Sequence, residues 1–222
     1  VAFLMVGPPK DLSGLAEHLR GSTSEPLCLH LVADSSLPLQ LAERWRMRLH
    51  SLERMPPRAK MLHRGFANLT HGPGAIYMWK PLLHYLLPFE RLIVLDSDVA
   101  LLRDLAELAH HFDAFSEEAV VGLAQEQAPF YFLNGYPKIG GVNGGVQLLD
   151  LEAMRRPGSE YERQLHKFAA GDYGDIGYLG DQNFFSKLRS LRPELIHILD
   201  CGWNRQLSYH LCVQTDSNHN PS

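Results

Sequence analysis

The sequence predicts an α/β fold in which strands and helices alternate around a parallel, doubly wound sheet. Apolar runs at residues 1–6 and 27–33 are each followed by turn-forming residues and then by a segment with one apolar face, at 11–20 and 37–52. Those two segments are predicted helices. A third apolar run, at 92–95, is unbroken, as is typical of a strand that is buried on both faces.

The same alternation continues through the rest of the chain. Further helices are predicted at 75–87, 104–115, 152–169 (interrupted near Pro157 and Gly158) and from 181 onwards, and further strands at 119–124, 146–150 and 195–199. Asp181 lies where the last helix begins and is predicted to be its N-cap residue. No change in composition marks a linker, so we expect a single domain.

Two carboxylates follow the central apolar run. Asp96 and Asp98 are separated by one residue, and in an extended chain such side chains point the same way. They repel each other unless a cation lies between them, and their oxygen ligands suit Mg²⁺ or Mn²⁺. Ligands of open α/β sheets bind outside the carboxyl ends of the strands. The sequence therefore predicts a divalent-metal site here, and a polar strand end with a helix-capping Asp is the alternative.

The composition bears on the expected partners. The chain has 222 residues, of which 45% are hydrophobic, and its net charge of −4 comes from interspersed charges. Because no basic stripe with interleaved aromatic residues occurs, nucleic acid is not an expected partner. No apolar run approaches the ~20 residues of a membrane span, so none is expected in this chain. The first residue is Val1 rather than Met, which indicates a fragment, an ectodomain or a processed form.

Three cysteines leave the cellular compartment open. Cys28 lies in an apolar run and is expected to be a buried free thiol. Cys201 and Cys212 bracket a short loop and would pair in an oxidising compartment. The glycosylation triplet that begins at Asn68 is compatible with a secretory location.

Six short motifs occur in an order that resembles one enzyme family. They are Trp79-Lys-Pro, Leu92-Ile-Val-Leu-Asp-Ser-Asp, Asp104-Leu-Ala-Glu-Leu, Asn143-Gly-Gly-Val-Gln-Leu-Leu-Asp-Leu, Gly180-Asp-Gln-Asn-Phe-Phe and Leu199-Asp-Cys-Gly-Trp-Asn-Arg-Gln-Leu. Together they resemble glycosyltransferase family 8, the retaining nucleotide-sugar transferases with the GT-A fold. The last two motifs are most similar to its xyloside xylosyltransferase and LARGE-type xylosyltransferase branch.

This resemblance implies both a fold and an activity. The fold would be a single GT-A (Rossmann-like) domain over residues 1–222, with a mixed, mostly parallel sheet and a DxD motif at the end of a central strand. The activity would be Mn²⁺-dependent (or Mg²⁺-dependent) retaining transfer of a sugar, with xylose the first candidate, from a UDP-sugar to a glycan or glycoprotein acceptor. The location would be the lumen of the Golgi or endoplasmic reticulum, with a membrane-anchored full-length form.

The resemblance also implies roles at the nucleotide end of the site. Asp98 would bind the metal that bridges the diphosphate, and Asp96 would share the metal or contact the ribose. Lys80 would place a positive charge near the phosphates, whereas a solvated helix lysine is the alternative.

At the sugar end the resemblance implies two catalytic residues, Asp181 and Gln182. Asp181 would hold sugar hydroxyls and Gln182 would face the reacting carbon. Asn143 would bind the donor sugar or the acceptor, and Trp203 and Asn204 would shape the acceptor site, although a core position is the alternative for Trp203. Because Gln182 is a poor nucleophile and no base is apparent behind the acceptor, front-face attack is favoured over a covalent intermediate.

Two departures from the family pattern keep other functions open. Gly144 stands where the family usually has Ser or Thr, and His219 arrives too early to be the family's third metal ligand. We therefore expect a truncated or altered C-terminus, and a transferase-like domain that binds nucleotide or glycan without turnover is an alternative. A haloacid-dehalogenase-type phosphatase is a more remote one. That family needs a further carboxylate after the Gly180–Asp181 pair, which residues 182–185 do not supply.

Overall fold

The computed structural model describes residues 1–5, 12–35, 37, 39–72, 74–128 and 140–206. These residues form a seven-stranded sheet with helices packed against it. The strands are β1 (Ala2–Met5), β2 (His30–Ala33), β3 (Arg48–Ser51), β4 (Arg91–Leu95), β5 (Val121–Gln125), β6 (Val142–Asp150) and β7 (Ile196–Leu199).

The strand order is β3-β2-β1-β4-β6-β5-β7, which places β4 in the middle. Strand β6 runs antiparallel to its neighbours β4 and β5, and the other four pairings are parallel. The predicted mixed, mostly parallel sheet is therefore confirmed. The chain proceeds outwards from β1 to β3 and then returns beside β1 as β4, so the sheet has a topological switch point between β1 and β4. Ligands of open α/β sheets bind at such a point.

The α-helices of the described residues are numbered in chain order. They are α1 (Ser13–Gly21), α2 (Leu39–Arg44), α3 (Pro57–Asn68), α4 (Gly74–Tyr77), α5 (Leu105–Ala109), α6 (Leu151–Arg155), α7 (Glu160–Ala170) and α8 (Asp181–Leu191). Short 3₁₀ helices cover Leu52–Arg54, Lys80–Tyr85, His110–Ala114, Pro193–Leu195 and Cys201–Asn204. Within the described residues, no helix is both long enough and apolar enough to cross a membrane.

Both faces of the sheet are covered by apolar side chains. Leu92 and Val94 of β4 belong to one hydrophobic cluster, together with residues of α3, α7 and α8. Ile93 and Leu95 belong to a second cluster, which includes residues of α1, α2 and α5. Since alternate residues of a strand face opposite sides of the sheet, this partition confirms that the central strand is buried on both faces.

The helix predicted at 37–52 is wrong beyond Arg44. The α2 helix ends there, and Arg46 has a left-handed backbone conformation with φ 55°, which an α-helix does not continue through. The chain then forms β3, which pairs in parallel with all four residues of β2. The hydrogen bonds of this added strand outweigh a weak helical pattern, because a six-residue helix has little stability of its own.

The helix predicted at 75–87 is also replaced by shorter pieces. The α4 helix ends at Tyr77, and a 3₁₀ helix then covers Lys80–Tyr85. Pro81 has no N–H to donate and its ring would clash with the preceding turn, so a regular α-helix does not run through it. As a result Ile76 is 39% exposed, whereas Leu83 is buried.

Candidate active site

The side chains singled out by the sequence gather at one edge of the sheet. This edge holds the carboxyl end of β4, the beginning of the antiparallel strand β6 and the beginning of α8. The backbone N–H of Asp96 donates to the Gly145 carbonyl at 2.9 Å, which ties the end of β4 to β6. Two groups of contacts lie here, one centred on Lys80 and the other on a carboxylate that the sequence reasoning did not single out.

Lys80 is a buried cation between two carboxylates. Its Nζ lies 2.7 Å from Asp96 Oδ1, 3.1 Å from Asp181 Oδ2 and 3.2 Å from the Gly144 carbonyl oxygen. The side chain is only 2% exposed, so Lys80 is not the solvated lysine of the alternative interpretation. Burial alone would lower the pKa of Lys80, but the Asp181 and Asp96 carboxylates outweigh it and hold that pKa above its ordinary value.

Asp181 is not the N-cap of its helix, which corrects the sequence prediction. Gly180 occupies the cap position, and Asp181 is the first helical residue, with its carboxylate turned towards Lys80 and Gln147. The Gln147 amide donates to Asp181 Oδ2 at 2.6 Å. Burial raises the pKa of Asp181 above its ordinary value; the Lys80 ammonium opposes that rise, and the Asp96 carboxylate adds to it. The side chain therefore serves the site rather than the helix end.

Two glycines allow Asp181 and Lys80 to meet. Gly180 has φ 59°, and a Cβ atom there would lie 2.2 Å from the carbonyl oxygen of Gly74. A Cβ atom on Gly74 would in turn lie 2.5 Å from the carbonyl oxygen of Tyr178. The backbone before α8 thus packs directly on the first turn of α4, six residues before Lys80, in a way that only glycine permits.

Gly144 is confined between the same groups. A Cβ atom there would lie 3.0 Å from Asp181 Oδ2 and 3.3 Å from Gln147 Nε2. Gln147 Nε2 also donates to the Gly144 carbonyl at 2.9 Å, so its amide bridges Gly144 and Asp181. The buried amide of Gln147 thus supplies a hydrogen bond to Asp181 beside Gly144, which has no side chain of its own to donate.

Asp98 is placed differently from Asp96. The strand ends at Leu95, and the Val99 N–H donates to the Asp96 carbonyl at 3.4 Å, so Ser97 and Asp98 lie in a turn rather than in an extended chain. Asp98 is exposed, whereas the Asp96 side chain is 36% exposed and hydrogen-bonded to Lys80. Within the described part of the chain, no group of three or more His, Cys, Asp or Glu side chains is gathered for a metal ion.

Glu126 is the carboxylate that the sequence reasoning missed. It follows β5 directly and is 4% exposed. Its Oε2 accepts hydrogen bonds from Gln182 Nε2 at 2.6 Å and Asn143 Nδ2 at 3.1 Å, and its Oε1 accepts one from the Ala128 N–H at 2.8 Å. The family resemblance implied only Asp181 and Gln182 as catalytic residues, so this carboxylate in direct contact with Gln182 was not predicted. Its position just after a strand, at the carboxyl edge of the sheet, was the available signal.

Asn204 joins this group, whereas the Trp203 ring faces elsewhere. Asn204 Nδ2 donates to Asn143 Oδ1 at 2.7 Å. The half-buried Trp203 ring lies edge-on to His111 with centroids 5.5 Å apart, and the Arg103 guanidinium carbon lies 4.7 Å from its centroid. Asn204 is therefore part of the candidate site, while the Trp203 contacts are those of a packing residue.

The cysteines follow the predictions in part. Cys28 is a free cysteine, but it is exposed rather than buried as expected. Cys201 is disulfide-bonded. Its predicted partner Cys212 lies outside the described residues, as does His219.

Known proteins share this fold. The solved structure of mouse xyloside xylosyltransferase 1 in its apo form matches 93% of this chain and 86% of that chain, with 27% identity and a TM-score of 0.76. The fold is that of the GT-A glycosyltransferases.

Sequence comparison identifies relatives of the same kind. Xyloside xylosyltransferase 1 of Mus musculus is 37% identical over 160 residues, which are 62% of this chain and 41% of that protein. Xylosyl- and glucuronyltransferase LARGE2 of Mus musculus is 30% identical over 224 residues, covering 90% of this chain and 31% of that protein. No family model matches the chain. The chain is thus homologous to both enzymes and spans less than half of the length of each.

Proposed function

We propose that this chain is a glycosyltransferase family 8 domain that transfers a sugar from a UDP-sugar to a glycan or glycoprotein acceptor with retention of configuration. Xylose is the first candidate for the donor sugar, because the homologous proteins are named as xylosyltransferases. The observation that carries the proposal is the contact of Lys80 with both Asp96 and Asp181 at the carboxyl edge of a GT-A sheet. It joins the nucleotide end and the sugar end of the predicted site through one side chain.

Asp96 and Asp98 would hold the divalent cation of such an enzyme. Both are carboxylates, and Mg²⁺ is commonly held by one or two carboxylates together with substrate phosphates and water. The exposure of Asp98 and the partial exposure of Asp96 leave oxygen atoms available to an ion, so the residues present fit it. The chemistry that Mn²⁺ or Mg²⁺ supplies when bound is neutralisation of the charge that develops on the departing diphosphate.

Lys80 would organise the boundary between diphosphate and sugar. Its ammonium contacts both Asp96, which would face the nucleotide, and Asp181, which would face the sugar. The raised pKa of Lys80 keeps it charged throughout the physiological range. With Asp181 fixed by Lys80 and Gln147, its carboxylate has a defined position from which to accept hydrogen bonds from sugar hydroxyls.

Retention can arise from two inversions through a covalent intermediate or from attack on the face from which UDP departs, and we propose the second because Gln182 is a poor nucleophile. In this front-face mechanism an oxygen of the departing phosphate takes the proton of the acceptor hydroxyl, so no protein base is needed. Gln182 would stabilise the oxocarbenium-like centre through its amide dipole. The contact between Glu126 and Gln182 brings a carboxylate near this centre, so a covalent or inverting role for Glu126 is the alternative to be tested.

A panel of UDP-sugars with Mn²⁺ tests the proposal, scored for hydrolysis and for transfer to simple xylosides. The anomeric proton coupling of the product should show that the α configuration of the donor is kept, and a β-linked product would contradict the retaining mechanism. The Gln182→Ala variant should lower turnover far more than UDP affinity. UDP binding without transfer would support the nucleotide-binding alternative, and phosphate release from a simple phosphate ester would support the phosphatase.

We also propose that the domain works in the lumen of the Golgi or endoplasmic reticulum. The disulfide-bonded state of Cys201 supports this, since structural disulfides persist in oxidising compartments. Mass spectrometry of secreted protein under non-reducing conditions should show Cys201 and Cys212 in one cross-linked peptide. Two free thiols at these positions would contradict both the pairing and the compartment.

A further inference from the structure

Glu126 is a buried carboxylate whose partners are neutral amides. Among the described residues, the hydrogen bonds to its two oxygens come from the Ala128 N–H, the Asn143 side chain and the Gln182 side chain. A carboxylate that is 4% exposed loses hydration, and hydrogen bonds must compensate for that loss. A neutral side chain would pack here at lower cost, so a reason beyond packing is needed for the charge.

The special property of a carboxylate in this position is that it only accepts hydrogen bonds. Both amides that reach Glu126 must therefore turn their nitrogen towards it. Gln182 Nε2 lies 2.6 Å from Glu126 Oε2, so the nitrogen of this amide, and not its carbonyl oxygen, faces the carboxylate. Asn143 is fixed in the same way, and its Oδ1 accepts from the Gly145 N–H at 2.9 Å and from Asn204 at 2.7 Å.

We propose that Glu126 is a positioning residue that orients the Gln182 carboxamide so that its carbonyl oxygen faces the donor sugar. This inference rests on the proposed function. A carbonyl oxygen directed at an oxocarbenium-like centre stabilises its positive charge, whereas an amide N–H₂ in the same place would oppose it. A side chain at position 126 that can both donate and accept would permit either orientation, so the electrostatic effect of Gln182 depends on the carboxylate.

The same carboxylate joins three separate parts of the chain. Gln182 lies in the first turn of α8, Asn143 lies in β6, and Glu126 follows β5. Asn143 extends this connection to Asn204 in the 3₁₀ helix after β7. Glu126 thus fixes the relative positions of the residues proposed to contact the donor sugar and the acceptor, which is the geometric precision that catalysis by positioning needs.

The experiment compares Glu126→Gln with Glu126→Asp. The Gln variant keeps the size of the side chain but loses acceptor-only character, so kcat for transfer should fall by about 100-fold, the scale of a 1 Å misplacement. The affinity for UDP and Mn²⁺, measured by calorimetry, should not change. Glu126→Asp keeps an acceptor-only carboxylate with shorter reach and should retain more activity than Glu126→Gln. Glu117→Gln, which changes an exposed carboxylate before β5, is the matched control.

A spectroscopic readout separates this inference from the proposed function. In ¹⁵N-labelled protein the side-chain amide resonances of Gln182, assigned by their loss in Gln182→Met, should shift in Glu126→Gln and stay unchanged in Glu117→Gln. Unshifted Gln182 resonances in Glu126→Gln would overturn the inference even if the protein transfers no sugar. In an active protein, wild-type kcat in Glu126→Gln, or a parallel loss of UDP affinity, would overturn it while leaving the proposed transfer activity intact.

Discussion

The two ends of one short helix bury charge in different ways. The 3₁₀ helix Lys80–Tyr85 presents Lys80 to the carboxyl edge of the sheet and presents His84 and Tyr85 to Glu162 of α7. At the Glu162 end, one carboxylate accepts from His84 Nε2 at 2.6 Å, from Tyr85 at 2.7 Å and from Arg58 at 2.9 Å. At the Lys80 end, one ammonium serves both Asp96 and Asp181.

This difference separates a structural cluster from a candidate site. Around Glu162 the donors outnumber the carboxylate, so its hydrogen-bonding capacity is met within the protein. Around Lys80 the carboxylates outnumber the cation, and exposed Asp98 follows two residues after Asp96 in the chain. Buried charge alone does not indicate function, since both ends have it. What distinguishes the Lys80 end is an excess of carboxylates over cations, part of it exposed to solvent, which favours binding of a divalent cation.

The largest expected effect comes from removing the cation at the Lys80 end. Lys80→Met leaves Asp181 buried without its ion-pair partner, and breaking a buried pair in this way costs about 3–5 kcal/mol of the free energy of unfolding. Urea denaturation measures that loss. If Lys80→Met were as stable as the wild type, the proposed contrast between the two ends of the helix would be wrong, because the Lys80 ammonium would then not compensate the buried Asp181 carboxylate.

Asp98→Asn should affect binding and leave folding unchanged. Asp98 is exposed, so the midpoint of thermal unfolding should stay where it is. Affinity for UDP in the presence of Mn²⁺ should fall by at least about 10–100-fold, the loss typical of even a second-shell change at a metal site. Calorimetry with and without Mn²⁺ distinguishes the two contributions. Unchanged Mn²⁺-dependent affinity would mean that Asp98 is not a metal ligand.

Much of the fold could be predicted from the sequence because its signals are local. The unbroken apolar run of β4 and the alternation of segments were sufficient to predict parallel strands around a buried central strand, whereas the mixed character of the sheet, which comes from antiparallel β6, was implied only by the family resemblance. Strand β3 was missed because its stability comes from pairing with β2, a non-local contact that no pattern within residues 48–51 reveals.

In the candidate site, too, some residues could be predicted from the local sequence and others could not. Asp96 and Asp98 follow a recognisable strand and could be singled out directly. Glu126 also follows a predicted strand, but its role could not be predicted, because its partners Asn143 and Gln182 are 17 and 56 residues away in the chain and meet it only when β6 runs antiparallel beside β5. The position of Asp181 before a helix suggested a cap, whereas its burial against Lys80 decides what the side chain does.

Gly144→Ala tests how closely the Lys80 end is packed. The added Cβ would lie 3.0 Å from Asp181 Oδ2, and that oxygen is already held by Lys80 and Gln147. Overpacking of this kind costs about 1–3 kcal/mol of the free energy of unfolding. Gly14→Ala is the matched control, because a Cβ at this exposed position in α1 meets nothing within 4 Å and should stabilise the protein by about 0.4–1 kcal/mol through the unfolded state. Equal effects of the two substitutions would contradict the close packing.

The smallest expected effect is on the stability of the protein at low pH, and it involves the Glu162 end of the helix. Burial raises the pKa of Glu162, but the hydrogen bonds from His84 and Tyr85 and the charge of Arg58 outweigh it, so the pKa lies below its ordinary value of 4.5. A carboxylate whose pKa is lower in the folded than in the unfolded protein adds stability above pH 4.5, and that stability is lost as the pH falls through the folded pKa. The free energy of unfolding should therefore decline below pH 4.5, and Glu162→Gln should make this decline shallower.

The difference should be modest, because Glu162 is partly exposed and solvent screens its charges. Denaturant titrations of both proteins from pH 7 down to the acid limit of folding measure it, and an equally steep decline in Glu162→Gln would show that this cluster does not contribute to acid sensitivity.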